Sequence, residues 1–270
     1  MLLAFERYFM ANVLLTRVVS AVALAVPAIA AVYIGYPFFE ILIAIAACVL
    51  VWEWCHLWNA KAAESVLIAL FLLGGMAATI LARLDIAIGI LFAGMIIVYA
   101  LSRGNEWLSA GVIYLGVPIV ALVWLRNTSS DGRNIIFWIF ALVWASDVGA
   151  YAAGRLIGGP KLAPSISPSK TWAGLVGAVV SAGIVGAVTA SVLQLNNMWF
   201  LVIMSSGLGF VAQAGDFLES WFKRRVGVKD SSGLIPGHGG LLDRVDALIA
   251  VLIVTSLISG LGKCGVLQCL

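Results

Sequence analysis

The sequence predicts an all-α, polytopic integral membrane protein with about nine transmembrane helices and a cytoplasmic N-terminus. Three observations carry that prediction. The apolar share is 63% and the charged share only 11%, against roughly a quarter charged in an ordinary soluble domain. A chain of 270 residues cannot hide so much apolar surface within itself, since domains of about 300 residues still expose roughly a quarter of their unfolded surface. The basic residues also collect in alternate loops. A soluble enzyme, a nucleic-acid binder and a disordered chain are excluded at this level, and the formal net charge of +3 is too small to argue for a polyanionic partner.

A span needs about 20 mostly apolar residues. Nine segments satisfy that rule, near 18–35, 38–58, 65–82, 84–101, 107–125, 134–154, 172–193, 198–217 and 241–261. The first follows Arg7 and Arg17, but Glu6 interrupts the region before it and no cleavage site closes it, so it reads as a retained span rather than a signal peptide. With the N-terminus inside, Arg7, Arg17, Lys61, Arg103, Arg155, Lys161, Lys170, Lys223, Arg224, Arg225 and Lys229 are cytoplasmic. Only Arg83, Arg126, Arg133 and Lys263 lie outside, which is the positive-inside pattern. The C-terminus then lies outside.

The spans fall into two regions. Residues 1–125 hold few ionisable groups and read as a lipid-facing scaffold. Within them, Trp52-Glu53-Trp54-Cys55-His56-Leu57-Trp58 resembles an interfacial aromatic belt, with Glu53 and His56 as its polar members. Residues 126–270 carry the chemistry, with two longer cytoplasmic loops at 155–171 and 218–240. The seventh span is rich in Gly, Ala and Ser, suited to close helix packing. Cys48, Cys55, Cys264 and Cys269 have no metal-site spacing and read as ordinary thiols.

Carboxylates inside a bilayer are costly and mark function by default. Asp147 lies toward the inner end of the sixth span, Asp216 and Glu219 end the eighth, and Asp243 and Asp246 open the ninth. Each of the last two pairs is three apart and shares one helix face. Segment 214–246 holds ten of the chain's 16 basic and 13 acidic residues. Clustered carboxylates suit Mg²⁺, which is bound by one or two carboxylates plus phosphate oxygens. Lys223, Arg224, Arg225, Lys229 and Arg244 complement phosphate charge. The turn Pro236-Gly237-His238-Gly239-Gly240 leads into a helix start that favours an anion. Ser220 and Asp230 stand in the same run. In the loop 155–171, Ser167, Lys170 and Thr171 offer further phosphate donors. Taken singly, Lys223-Arg224-Arg225 is also a topology signal, His238 a turn residue, and Lys170-Thr171 a capped helix entry. Only a metal-dependent phosphate site accounts for all of them together.

The run ESWFKRRVGVKDSSGLIPGHGGLLDRVD, Glu219 to Asp246, closely resembles the motif of the phosphatidate cytidylyltransferases, or CDP-diacylglycerol synthases. Its S-x-x-K-R, K-D, P-G-H-G-G and D-R-x-D elements stand at that family's intervals. The stretch from Ser146-Asp147 to Gly174 resembles a second family region, except that Ala173 stands where glutamate is common. The two regions span about the C-terminal half. The resemblance implies an enzyme that joins CTP to phosphatidic acid, giving CDP-diacylglycerol and pyrophosphate in phospholipid biosynthesis. It also implies Mg²⁺, with K⁺ as a further cation, a homodimer, a bacterial inner membrane and a cytoplasmic active site. On that frame Asp216, Lys223, Arg224, Lys229, Asp243, Arg244 and Asp246 are the catalytic candidates. Asp216, Asp243, Asp246 and Asp147 are the metal candidates, and Ser167, Lys170, Thr171, Ser220, Asp230, His238, Gly239 and Gly240 the substrate-binding ones. Two alternatives stand beside it, a CDP-alcohol phosphotransferase, whose D-G-x-x-A-R…G…D-x-x-x-D frame is absent here, and a cation-coupled transporter.

Overall fold

The computed structural model describes residues 2–127, 131–237 and 239–261. Among them are nine helices and a single two-stranded ribbon, so the fold is all-α as expected, with each expected segment overlapping a helix of its own. The N-terminal helices are α1 (Leu2–Ile34), α2 (Phe38–Leu57), α3 (Ala62–Ile80), α4 (Leu84–Leu101) and α5 (Glu106–Asn127). Then come α6 (Gly132–Leu156), β1 (Lys161–Ala163), β2 (Ser167–Thr171), α7 (Trp172–Val192), α8 (Met198–Arg225) and α9 (Leu242–Leu261). The helices α2 to α8 are long and apolar enough to cross a membrane. The described apolar part of α1, Val18–Ile34, is shorter, and the first turns of α9 carry Asp243, Arg244 and Asp246.

Small residues set the packing of α6, α7 and α8, as the composition of the seventh span suggested. A Cβ on Gly177 would come within 2.5 Å of both the Ala153 Cβ and the Gly149 carbonyl, so α6 and α7 touch backbone to backbone. Such approach is a recognised route to helix association in lipid, where apolar burial alone gives no drive. Trp138 in α6 donates its indole N–H to Ser205 Oγ in α8 at 3.0 Å, closing the same face.

In α2, helical periodicity separates the aromatic stretch into two faces. Trp52 and His56, one turn apart, point outward and stack with ring centroids 5.9 Å apart. Glu53, Trp54, Cys55 and Leu57 point inward and are buried. Only the outward face is therefore free to form the expected belt, and Glu53 is not one of its polar members. Trp54 donates to the Trp107 carbonyl at 3.1 Å and packs edge-on against Phe222 of α8. One aromatic core thus joins α2, α5 and α8.

Helix α8 also corrects the expected loop at 218–240. It continues to Arg225 because nothing in Asp216–Arg225 breaks it, and Glu219 and Lys223 form an i,i+4 pair at 2.8 Å along it. At 1.5 Å per residue its 28 residues reach about 42 Å, beyond the ~30 Å hydrocarbon layer. The loop proper begins after Arg225. The loop 155–171 is likewise more ordered than expected. It folds into the antiparallel ribbon β1–β2, with Ile166 N–H closing a turn on the Ala163 carbonyl at 3.1 Å.

Candidate active site

A cleft of about 640 Å³ opens where the C-terminal ends of α6 and α8 meet the ribbon and the start of α9. Each wall has a structural reason. A Cβ on Gly215 would meet the Asp246 carbonyl at 2.8 Å, so α8 and α9 cross in contact beside Asp216 and Asp246. Ser146 in α6 donates to the Gly209 carbonyl at 3.4 Å and lies 3.5 Å from Gln213 Nε2, which fixes the neighbouring Asp147 against α8. Asp147, Asp216 and Asp246, from three helices, therefore face one cavity.

The ribbon delivers Lys170. Its ammonium pairs with Asp216, lies 3.4 Å from Gln213 Oε1, and sits 4.5 Å above the Phe217 ring. Ser220 donates to the other Asp216 oxygen at 3.4 Å. Thr171 lines the cleft, but its Oγ1 accepts from Gly174 N–H at 3.1 Å as the N-cap of α7, the structural reading of that residue. Ala173, at the position of the common glutamate, does not line the cleft.

Lys223 is held between two carboxylates, 2.8 Å from Glu219 Oε2 and 2.5 Å from Asp243 Oδ1. The second oxygen of Asp243 accepts from the Ser231 N–H at 2.9 Å, the Ser231 hydroxyl at 2.9 Å and the Gly240 N–H at 2.7 Å. Gly239 pairs with Ile235 through both backbone groups, at 2.8 and 3.1 Å, which closes the turn. Gly239 and Gly240 thus shape the loop from within. His238 lies outside the described residues.

Of the expected phosphate contacts, Lys170, Lys223, Asp230 and Arg244 reach the cleft. Arg224, Lys229 and Ser167 do not line it. Arg224 donates to the Val228 carbonyl at 3.0 Å on the exposed side of its helix end. Arg225 stacks on Trp107, 4.8 Å from the ring centroid. A run of basic residues at a helix end spreads around the axis, so sequence adjacency could not say which faced inward. The structure adds Tyr151, Arg155, Ser169 and Gln213 to the lining. Tyr151 and Arg155, one turn apart, bond at 2.8 Å. A polar residue inside an apolar span was the available signal for Gln213, and equally for Glu53 in α2.

Chemically, the cleft presents Asp147, Asp216, Asp230, Asp243 and Asp246 against Arg155, Lys170, Lys223 and Arg244. Two of those four bases are already paired with carboxylates. Among the described residues no three His, Cys, Asp or Glu side chains gather closely enough to hold a metal ion alone. That still fits Mg²⁺, which is usually held by one or two carboxylates together with phosphate oxygens and water. Asp147, Asp216 and Asp246 offer such oxygens, whereas both oxygens of Asp243 are engaged in holding the loop.

The model of the cytidylyltransferase family matches residues 15–261, well beyond the C-terminal half in which the motifs lie. The chain is 37% identical over 245 residues to the phosphatidate cytidylyltransferase of Brucella suis, covering 87% of this chain and 89% of that protein. It is 36% identical over 188 residues to the Rickettsia bellii protein of the same name, covering 63% and 81%. With the Staphylococcus haemolyticus phosphatidate cytidylyltransferase it shares 43% over 142 residues, or 52% and 54%.

Proposed function

The chain belongs to the cytidylyltransferase family, and we propose on that premise that it transfers CMP from CTP to phosphatidic acid. The products are CDP-diacylglycerol and pyrophosphate. The observation that carries the proposal is one cleft in which carboxylates from three helices meet Lys170, Lys223 and Arg244. A phosphate oxygen of phosphatidic acid forms a bond to the α-phosphorus of CTP. The bond from that phosphorus to the bridging oxygen breaks, and the electron pair leaves with pyrophosphate. The attacking oxygen is already anionic at neutral pH, so no strong general base is needed. The task of the site is to align two polyanions and offset their repulsion.

Lys170, Lys223 and Arg244 hold phosphate oxygens, and Asp230 and Thr171 lie within the same lining. Lys170 exchanges its pairing with Asp216 for one with substrate, and Arg244, exposed at the cleft, has no carboxylate partner among the described residues. Arg224 and Lys229 act from outside the lining, as attraction for CTP rather than as phosphate clamps. One or two of Asp147, Asp216 and Asp246, together with phosphate oxygens and water, would hold Mg²⁺, which when bound would neutralise the triphosphate and the departing pyrophosphate. The acid excess of the cleft supports this, since its bases alone would leave a bound triphosphate under-compensated. A further K⁺ and a homodimer rest on the family likeness.

Nine spans with a cytoplasmic N-terminus are the favoured topology. They are supported by the charge asymmetry of the loops, with α1 and α9 completing the seven clearly apolar helices. CTP then reaches the cleft from the cytoplasm of a bacterial cell, while the lipid enters laterally. The test is pyrophosphate release by detergent-purified protein given CTP, Mg²⁺ and phosphatidic acid, each omitted in turn. Release that requires all three is expected. Release without phosphatidic acid, or none with a working control enzyme present, contradicts the proposal. Ion-dependent uptake into vesicles would favour the transporter.

A further inference from the structure

Glu53 of α2 is completely buried, and no cation pairs with it among the described residues. A buried carboxylate without compensation is strongly disfavoured, so its surroundings must supply what a countercharge would. They do so from far along the chain. Leu242 N–H donates to Oε2 at 2.6 Å, Leu241 N–H to Oε1 at 2.8 Å, and the Ser232 hydroxyl to Oε1 at 2.6 Å. The Ser231 hydroxyl lies 3.5 Å from Oε2 while donating to Asp243 at 2.9 Å. The backbone donors belong to the start of α9, whose helix dipole favours a negative charge at that place.

A cap for α9 alone would not require this residue. Asp243 in the first turn already accepts the Gly240 and Ser231 N–H groups. Instead two carboxylates from different helices grip the same loop, and they nearly meet. A Cβ on Gly240 would run into both Ser231 Oγ and the Glu53 carboxylate, so only glycine leaves room for the grip. A second N-terminal contact supports the loop, with the Ser20 hydroxyl of α1 donating to the Pro236 carbonyl at 2.9 Å. Directly after the gripped residues come Arg244 and Asp246, both in the cleft lining.

We propose that Glu53 is a positioning residue for the reaction: from the N-terminal helices it fixes the start of α9, and thereby the placement of Arg244 and Asp246 toward the phosphates. The inference rests on the functional reading above. It gives residues 1–125 a part in the chemistry beyond a lipid-facing scaffold. Charge matters as well as shape, because Glu53→Gln keeps the volume yet turns an NH₂ donor toward groups that are themselves donors.

The experiment compares wild type, Glu53→Gln and Glu53→Asp in detergent micelles. It measures CMP-transfer kinetics, thermal unfolding, and hydrogen exchange of the peptides covering 231–246 and of those in α3 and α4. The inference expects kcat of Glu53→Gln to fall about ten-fold or more with KM for CTP changed less than about three-fold, as when a group that orients a ligating residue is lost. Exchange should quicken in 231–246 and stay unchanged in α3 and α4. Glu53→Asp, with the charge one methylene short, should recover part of the rate. Wild-type kcat in Glu53→Gln overturns the inference. So does a lost rate accompanied by faster exchange through α3 and α4, which would mark a general role in the fold. An inactive wild type would instead fail the functional reading, while the exchange comparison would still decide whether Glu53 holds the start of α9.

Discussion

Lys223 and Asp243 meet at 2.5 Å across a loop of the chain and tie the last turn of α8 to the first turn of α9. Both side chains are largely buried, and Glu219 completes the cluster from the other side of Lys223. The same Asp243 holds Ser231 and Gly240 through its second oxygen. The cluster therefore sets the relation between the two helices that carry Asp216 and Asp246.

Removing Asp243 should be felt first as instability. Asp243→Ala leaves Lys223 with a single carboxylate and two loop N–H groups without acceptors. Breaking one partner out of a buried pair costs about 3 kcal/mol or more. Thermal unfolding in detergent should show a clearly lowered midpoint for Asp243→Ala. A stability equal to wild type would mean that the grip on the loop is dispensable.

The basic residues expected to contact phosphate should divide sharply. Lys170→Ala and Arg244→Ala remove cations from the cleft and should each lower activity at least about ten-fold, in the range for losing a charged donor at a transferring phosphate. Arg224→Ala and Lys229→Ala change exposed groups outside the lining and should stay within about three-fold of wild type. Steady-state rates at saturating CTP and phosphatidic acid check both halves. Equal losses in all four would show that the cleft extends over the exposed end of α8.

The helix contact in the C-terminal half predicts a size limit. Gly177→Val places carbon where the Gly149 carbonyl and Ala153 already stand at 2.5 Å, and should destabilise by about 1–3 kcal/mol. Gly207→Ala, with open space around the new Cβ, should leave the thermal midpoint unchanged. A tolerated Gly177→Val would contradict the backbone contact between α6 and α7.

How much of this was legible in the sequence follows from what each kind of signal encodes. The helices α2 to α8 were readable because lipid forces apolar runs of fixed length, and the ends of most fell within a few residues. The convergence of Asp147, Asp216 and Asp246 was readable because a charge placed in or beside an apolar span is costly enough to be informative. Glu53 was passed over because it sits among tryptophans, and composition gives no helix phase: Trp52 and His56 face out while Glu53 and Trp54 face in. Its partners lie nearly 190 residues away along the chain, a separation that local pattern cannot bridge. The placement of Arg224 and Lys229 outside the lining was illegible for a related reason, since a basic run signals charge but not direction. The fully engaged oxygens of Asp243 are a tertiary fact, invisible until the loop is folded onto α9.

The central claim is attack at the α-phosphorus of CTP by a lipid phosphate within this cleft. The most direct measurement follows label from CTP carrying radioactive phosphorus at either the α or the γ position, in detergent-solubilised protein with Mg²⁺ and phosphatidic acid. The account predicts that α label enters the lipid extract in step with pyrophosphate release, that γ label stays wholly in the aqueous phase, and that Asp246→Ala abolishes the transfer. Entry of γ label into lipid, or full transfer by a well-folded Asp246→Ala protein, would contradict it.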